Sequence, residues 1–166
     1  MSEPVVYEEV SDTSVSPFIG MARHEFVGVV ITGLAVGVAT AVLYYLLNQF
    51  VFGAVLCRAE STGNCAQAPS YAALVAVILG TIGGVANLAR IRVYRPLLVA
   101  LAAVFSLWGL HSVLAGVAWY WALACAAILF ALAYALFAWV ARVRNFGLAI
   151  IVTVVLVVLA RWVLVA

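Results

Sequence analysis

The stretch FVGVVITGLAVGVATAVLYYLLNQFVF, residues 26–52, runs for 27 residues without a charged side chain. A helix rises 1.5 Å per residue, so about 20 residues cross a hydrocarbon core of about 30 Å. This segment is therefore long enough to span a bilayer and to tilt or project beyond it. Its apolar character is continuous. A barrel strand would alternate polar and apolar residues, and a backbone in lipid must satisfy its own hydrogen bonds. Four more stretches meet the same ruler: Tyr71 to Leu88, Pro96 to Val117, Trp119 to Val140 and Phe146 to Val165. The third and fourth are joined so tightly that an antiparallel hairpin is expected. The reading is an all-α polytopic integral membrane protein of five transmembrane helices, with an external loop over residues 53–70.

Composition supports that class. Of 166 residues, 69% are hydrophobic and 8% charged, with a mean hydropathy of +1.26, whereas a water-soluble domain carries roughly 25% charged residues. Disorder and collagen are excluded by the same high apolar content. All eight basic residues are arginine, and arginine near span ends is retained on the cytoplasmic side. Threading five spans places Arg23, Arg90, Arg92, Arg95, Arg142 and Arg144 on one side and Arg58 and Arg161 on the other. That division puts the N-terminus inside and the C-terminus outside, and points to the plasma membrane.

Residues 1–22 hold Glu3, Glu8, Glu9 and Asp12 and no base, which reads as an acidic, disordered cytoplasmic tail. No basic n-region precedes the first apolar run, so the first helix is expected to be retained. Glu60 is the only acid after Glu25. Ion-coupled pumps use carboxylates within the spans, and their absence disfavours proton- or sodium-coupled transport.

Cys57 and Cys65 share the polar loop that the arginine distribution puts outside, where a disulfide persists. Closing so short a loop contributes about 2–3 kcal/mol on a chain-entropy account. The catalytic alternative resembles the quinone-linked membrane disulfide-bond formers. Those proteins carry a Cys-x-x-Cys pair and a second external pair, whereas this chain has Cys-x7-Cys and no second pair. A structural staple is the stronger reading. Cys125, within the fourth helix, reads as a small hydrophobe. His24 and His111 fall on opposite sides, so no zinc set assembles, and no cofactor motif is present.

Small residues give the clearest packing signal. Gly33 and Gly37 make one flat stripe and Gly80 and Gly84 another; such spacing lets backbones approach where hydrophobicity no longer drives association. Each stripe is expected either to pair the first two helices or to join two chains. Polar positions within the spans, Thr32, Thr40, Thr81, Ser106, Ser112 and Thr153 among them, are read as interhelical hydrogen-bond partners, with bonding to their own helix as the alternative. His111 lies near the outer end of the third helix, with Trp108 one turn away and Trp119, Tyr120 and Trp121 at the same face. The group reads as an interfacial aromatic belt or as a small amphipathic pocket for a quinone or lipid headgroup.

The segment Arg90-Ile91-Arg92-Val93-Tyr94-Arg95-Pro96 suits lipid phosphates or an acidic partner, with Pro96 placed to begin a helix. Arg142 and Arg144 repeat the role, and Arg161 is expected to snorkel outward beside Trp162. Nucleic-acid binding needs a broader basic surface. With so few reactive groups, an enzyme is not expected. The expected function is that of a structural or accessory membrane component, packing through small-residue faces into a homo-oligomer or a complex with another membrane protein. The alternative is a small oligomeric facilitator of an apolar or lipid-like substrate.

Overall fold

The computed structural model describes residues 23–57, 65–114, 116–143 and 145–165. The acidic tail, Arg58, Glu60 and Arg144 lie outside the described residues. Every regular element among those described is helical: α1 (Arg23–Leu46), a π-helical stretch (Leu47–Phe52), α2 (Gly53–Leu56), α3 (Ala68–Arg90), α4 (Pro96–Ser106), α5 (Leu110–Val113), α6 (Trp119–Ala141) and α7 (Phe146–Val165). α1, the π-helical stretch and α2 form one continuous rod, and α4 with α5 makes a second, interrupted unit. Five helical units are thus long and apolar enough to cross a membrane: Arg23–Leu56, Ala68–Arg90, Pro96–Val113, Trp119–Ala141 and Phe146–Val163.

Local chemistry explains where these rods start, break and stop. Pro96 opens α4, where its missing N–H has no intrahelical partner to lose. The third unit is not the unbroken helix expected over residues 96–117. It breaks at Leu107–Gly109, because Gly109 takes φ 92°, a left-handed conformation open to a residue without Cβ. The first unit continues past the expected end at Phe52, through a π-helical stretch, to Leu56. There the Gly53 N–H donates to the carbonyl of Asn48, five residues back. A Cβ at Gly53 would stand 2.6 Å from that oxygen, so glycine permits the wide turn.

α1 is the central helix, gripped on two sides. On the first, a Cβ added at Gly33 would lie 2.9 Å from Ala131 Cα, and one at Gly37 would lie 2.8 Å from Ala127 Cα. As the number falls by four on α6 it rises by four on α1, so the two run antiparallel with backbones in contact. On the second side, Gly80 of α3 receives the Thr40 hydroxyl and Gly84 receives the Tyr134 hydroxyl beside Val36. The stripes expected to face each other, or to join two chains, are therefore both used within this chain, and Gly33 and Gly37 meet the fourth span rather than the second. Without its own Cβ, each glycine lets a neighbour's atoms reach the helix axis more closely, gaining dispersion contacts.

The other hydroxyls mostly serve their own helices. Thr32 donates to the Gly28 carbonyl, Thr81 to Val77, Ser106 to Ala103, Ser112 to Gly109 and Thr153 to Ala149. This differs from the interhelical bonds expected: a hydroxyl three or four residues on lies closest to its own helix carbonyl. Thr40 Oγ1 and Tyr134 OH are buried with no hydrogen-bond partner among the described residues. Both lie over glycine Cα atoms, where weak Cα–H···O contacts form.

The core is displaced towards one end. The largest fully buried side chains are Tyr134, Phe137, Leu88, Val29, Val99 and Val140, and all belong to the half of the bundle nearest Arg90–Arg95 and Arg142. Towards the disulfide end the buried positions are small instead: Ala68, Ala72 and Ala76 on α3, Ala126 and Ala127 on α6. Gly37→Val forces a side chain into the α6 backbone and is expected to cost about 1–3 kcal/mol, read as a lower melting temperature in detergent. Gly83→Val, at a position with nothing within 4 Å, should stay within about 0.5 kcal/mol.

Candidate functional site: an apolar cavity at the disulfide end

Towards the disulfide end the helices form a half-open cavity of about 800 Å³. Its floor is made by Thr40, Ala76, Val104, Ala126 and Phe130, all buried, and its mouth by Tyr45, Trp108, Val117 and Trp119, all exposed. Alanines on α3 and α6 explain the space. Ala73 on α3 and Ala122 on α6, both half-buried, line it with no more than a methyl group. Pockets of about 300–1,000 Å³ with mostly apolar walls and a few placed polar groups are those that take small ligands.

The polar groups lie towards the mouth. The rings of Tyr44 and His111 meet with centroids 6.1 Å apart, bringing the middle of the long first rod against α5. Ser70, from the first turns of α3, joins them in the lining. His111 and Trp119 both line this cavity. Tyr120 and Trp121 are exposed and do not line it. Trp119, Tyr120 and Trp121 form a ladder, with ring centroids 6.0 Å apart at each step.

Two cross-braces hold the mouth. Cys57 and Cys65 are bridged, with Cα atoms 4.7 Å apart, tying the end of the first rod to the start of α3. Phe52 stacks on Tyr71 at 6.1 Å beside the bridge, and the Tyr71 hydroxyl donates to Gln67 Oε1 at 3.2 Å. On the other flank, Arg161 of α7 donates to the Trp108 carbonyl, one of the acceptors freed where the third unit breaks. Arg161 was expected to reach outward beside Trp162; the broken helix offers it an acceptor within the chain instead. Cys125 is half-buried on α6 with a free thiol.

The opposite end is closed by arginine. Arg95 lies 4.6 Å from the ring centroids of both Tyr94 and Phe146. It also donates to the Tyr94 hydroxyl at 3.2 Å and to the Val143 carbonyl at 3.5 Å. Arg95 therefore serves as a clamp between α4 and α7, whereas Arg90 and Arg92 are exposed and Arg142 is half-buried. Arg92 and Arg95 both take φ 58°, a left-handed conformation that costs about 1–2 kcal/mol per residue. The clamp and the turn that feeds α4 offset that cost.

Tyr44, Ala76, Val104 and Ala126 were not singled out from the sequence. Their signal was an alternation of size along one helix face, alanine at 122 and 126 giving way to Phe130, Tyr134 and Phe137, which only acquires meaning once the facing helices are known. Comparison with protein families, curated proteins and solved structures finds no match for the chain.

Arg95→Gln removes both ring contacts, worth about 0.5–1 kcal/mol each at exposed sites. Hydrogen exchange over residues 143–150 is expected to speed up about 5- to 30-fold, with little change in α1.

Proposed function

We propose that this is a five-span membrane protein that takes up a lipid-like molecule in the cavity and acts as a small facilitator for it. Arg23, Arg90, Arg92, Arg95 and Arg142 gather at one end and the disulfide at the other. The first set belongs with a cytoplasmic face and the second with an oxidising, extracytoplasmic one, most simply across the plasma membrane. The observation that carries the reading is the division of the bundle into a packed half and a hollow half. A half-open, mostly apolar cavity of about 800 Å³ lies in the size range of pockets that take small ligands. Its apolar floor and aromatic, hydrogen-bonding mouth suit an amphiphile lying along the helices.

The accessory reading retains one specific support. In α7 only 11% of the apolar span is buried, against 28–39% in the other four, so Ile151, Val154, Val155 and Val158 present a face to lipid or to a partner helix. Since Gly33, Gly37, Gly80 and Gly84 are engaged within the chain, an assembly of copies would have to use α7 or another such face.

Two measurements test these proposals. After mild reduction, Cys57 and Cys65 should react with a membrane-impermeant maleimide added outside intact cells, and a single cysteine placed at Arg92 should not; the reverse pattern would overturn the orientation. Purified protein in liposomes should speed transbilayer movement of a fluorescent lipid, and Ala73→Leu combined with Ala122→Leu, at half-buried lining positions, should reduce that rate at least about tenfold with an unchanged melting temperature. Unchanged flux in the filled variant, or none in the wild type, would sink the facilitator reading.

A further inference from the structure

Taking the cavity as a lipid site, we propose that its occupant carries an uncharged, hydrogen-bonding head: an alcohol, a glyceride or a quinone-type ring on an apolar chain, and not a phospholipid. The argument starts from what the walls lack. No Asp, Glu, Lys or Arg is among the described residues that line the cavity. A phosphate drawn out of water needs a cation or a fan of N–H donors to replace its hydration. No described arginine lines the cavity: Arg23, Arg90, Arg92, Arg95 and Arg142 belong to the far end of the bundle. Arg161 is the nearest described cation, at the rim, where its guanidinium donates to the Trp108 carbonyl and would stand 3.3 Å from a Cβ at Gly109; its charge lies outside the lining.

What the walls contain points the same way. Tyr44 and Ser70 supply hydroxyls that donate or accept, the His111 ring supplies two nitrogens, and Trp108 and Trp119 supply indole N–H donors. All belong to the half of the cavity nearest its mouth, whereas Ala76, Val104, Ala126 and Phe130 make a dry floor. The Thr40 hydroxyl on that floor is turned onto Gly80 and away from the space. A head seated beside the paired rings of Tyr44 and His111 hydrogen-bonds to them and packs against aromatic faces, and its chain runs down between α3 and α6. The orientation follows from this gradient.

Photolabelling of the full chain in detergent tests this with two diazirine probes that share their acyl chains, a diacylglycerol and the corresponding phosphatidic acid. The diacylglycerol is expected to label residues 70–77 and 122–130 at least about tenfold more than the phosphatidic acid. Tyr44→Phe, which keeps the ring, should lower that labelling several-fold with no loss of melting temperature, and Ala73→Leu should lower labelling by both probes. Equal or stronger labelling by phosphatidic acid would overturn the neutral head and leave the lipid cavity standing. Labelling of these segments by neither probe would overturn the cavity reading and this inference with it.

Discussion

Backbone contact between α1 and α6 at Gly33 and Gly37 is the constraint on which the other arrangements depend. In a medium as apolar as the side chains, burying leucine against leucine gains nothing over burying it in lipid, so helices associate where atoms can approach most closely. Two glycines one turn apart let α1 lie directly on Ala127 and Ala131. That approach carries Tyr134 past α1 into the notch at Gly84, while Thr40 enters the notch at Gly80. Three helices are thereby interlocked by four glycines. α4 and α7 are added to that triad, α7 through the Arg95 clamp at one end and the Arg161 brace at the other.

This interlock also decides where space is left. With α1, α3 and α6 held at a common spacing, the size of each inward side chain determines whether a layer is full. Tyr134, Phe137, Leu88 and Val29 are fully buried near the basic end, and the cavity lies nearer the disulfide, where Ala73, Ala122 and Ala126 line it. The break at Gly109 falls in that lining, and His111 of α5 meets Tyr44 there. The disulfide, the Phe52–Tyr71 stack and Arg161 then hold the rim of a space that the packing itself does not close.

How much was legible in the chain differs from feature to feature, for physical reasons. The apolar spans are a one-dimensional property, and all five correspond to helical units. The bridging of Cys57 and Cys65 was legible because two cysteines eight residues apart in one short loop can meet without help from the rest of the fold. The break at Leu107–Gly109 was not, since glycine is common within apolar helices and only its left-handed backbone marks a stop. The stripe at Gly33 and Gly37 announced a close contact but not its partner, because a flat face is compatible with any other flat face. Arg95 and Arg161 read as surface cations, yet each donates to a carbonyl at least 48 residues away along the chain.

Alone, the sequence determined the class: 8% charged residues in 166 leave too little polar surface for a water-soluble globule, and the positions of arginine and cysteine mark two unlike ends. It also determined which helix faces are flat and which hydroxyls lie within the spans. Only the tertiary structure decided that both flat faces are used inside one chain, that two of the arginines brace helices, and that the aromatic group around His111 opens on a hollow. The reason is that packing depends on the sum of side chains from three or four helices at one level. No single segment contains that sum, and neither Ala126 nor Tyr44 differs from its neighbours until α1, α3 and α6 face one another.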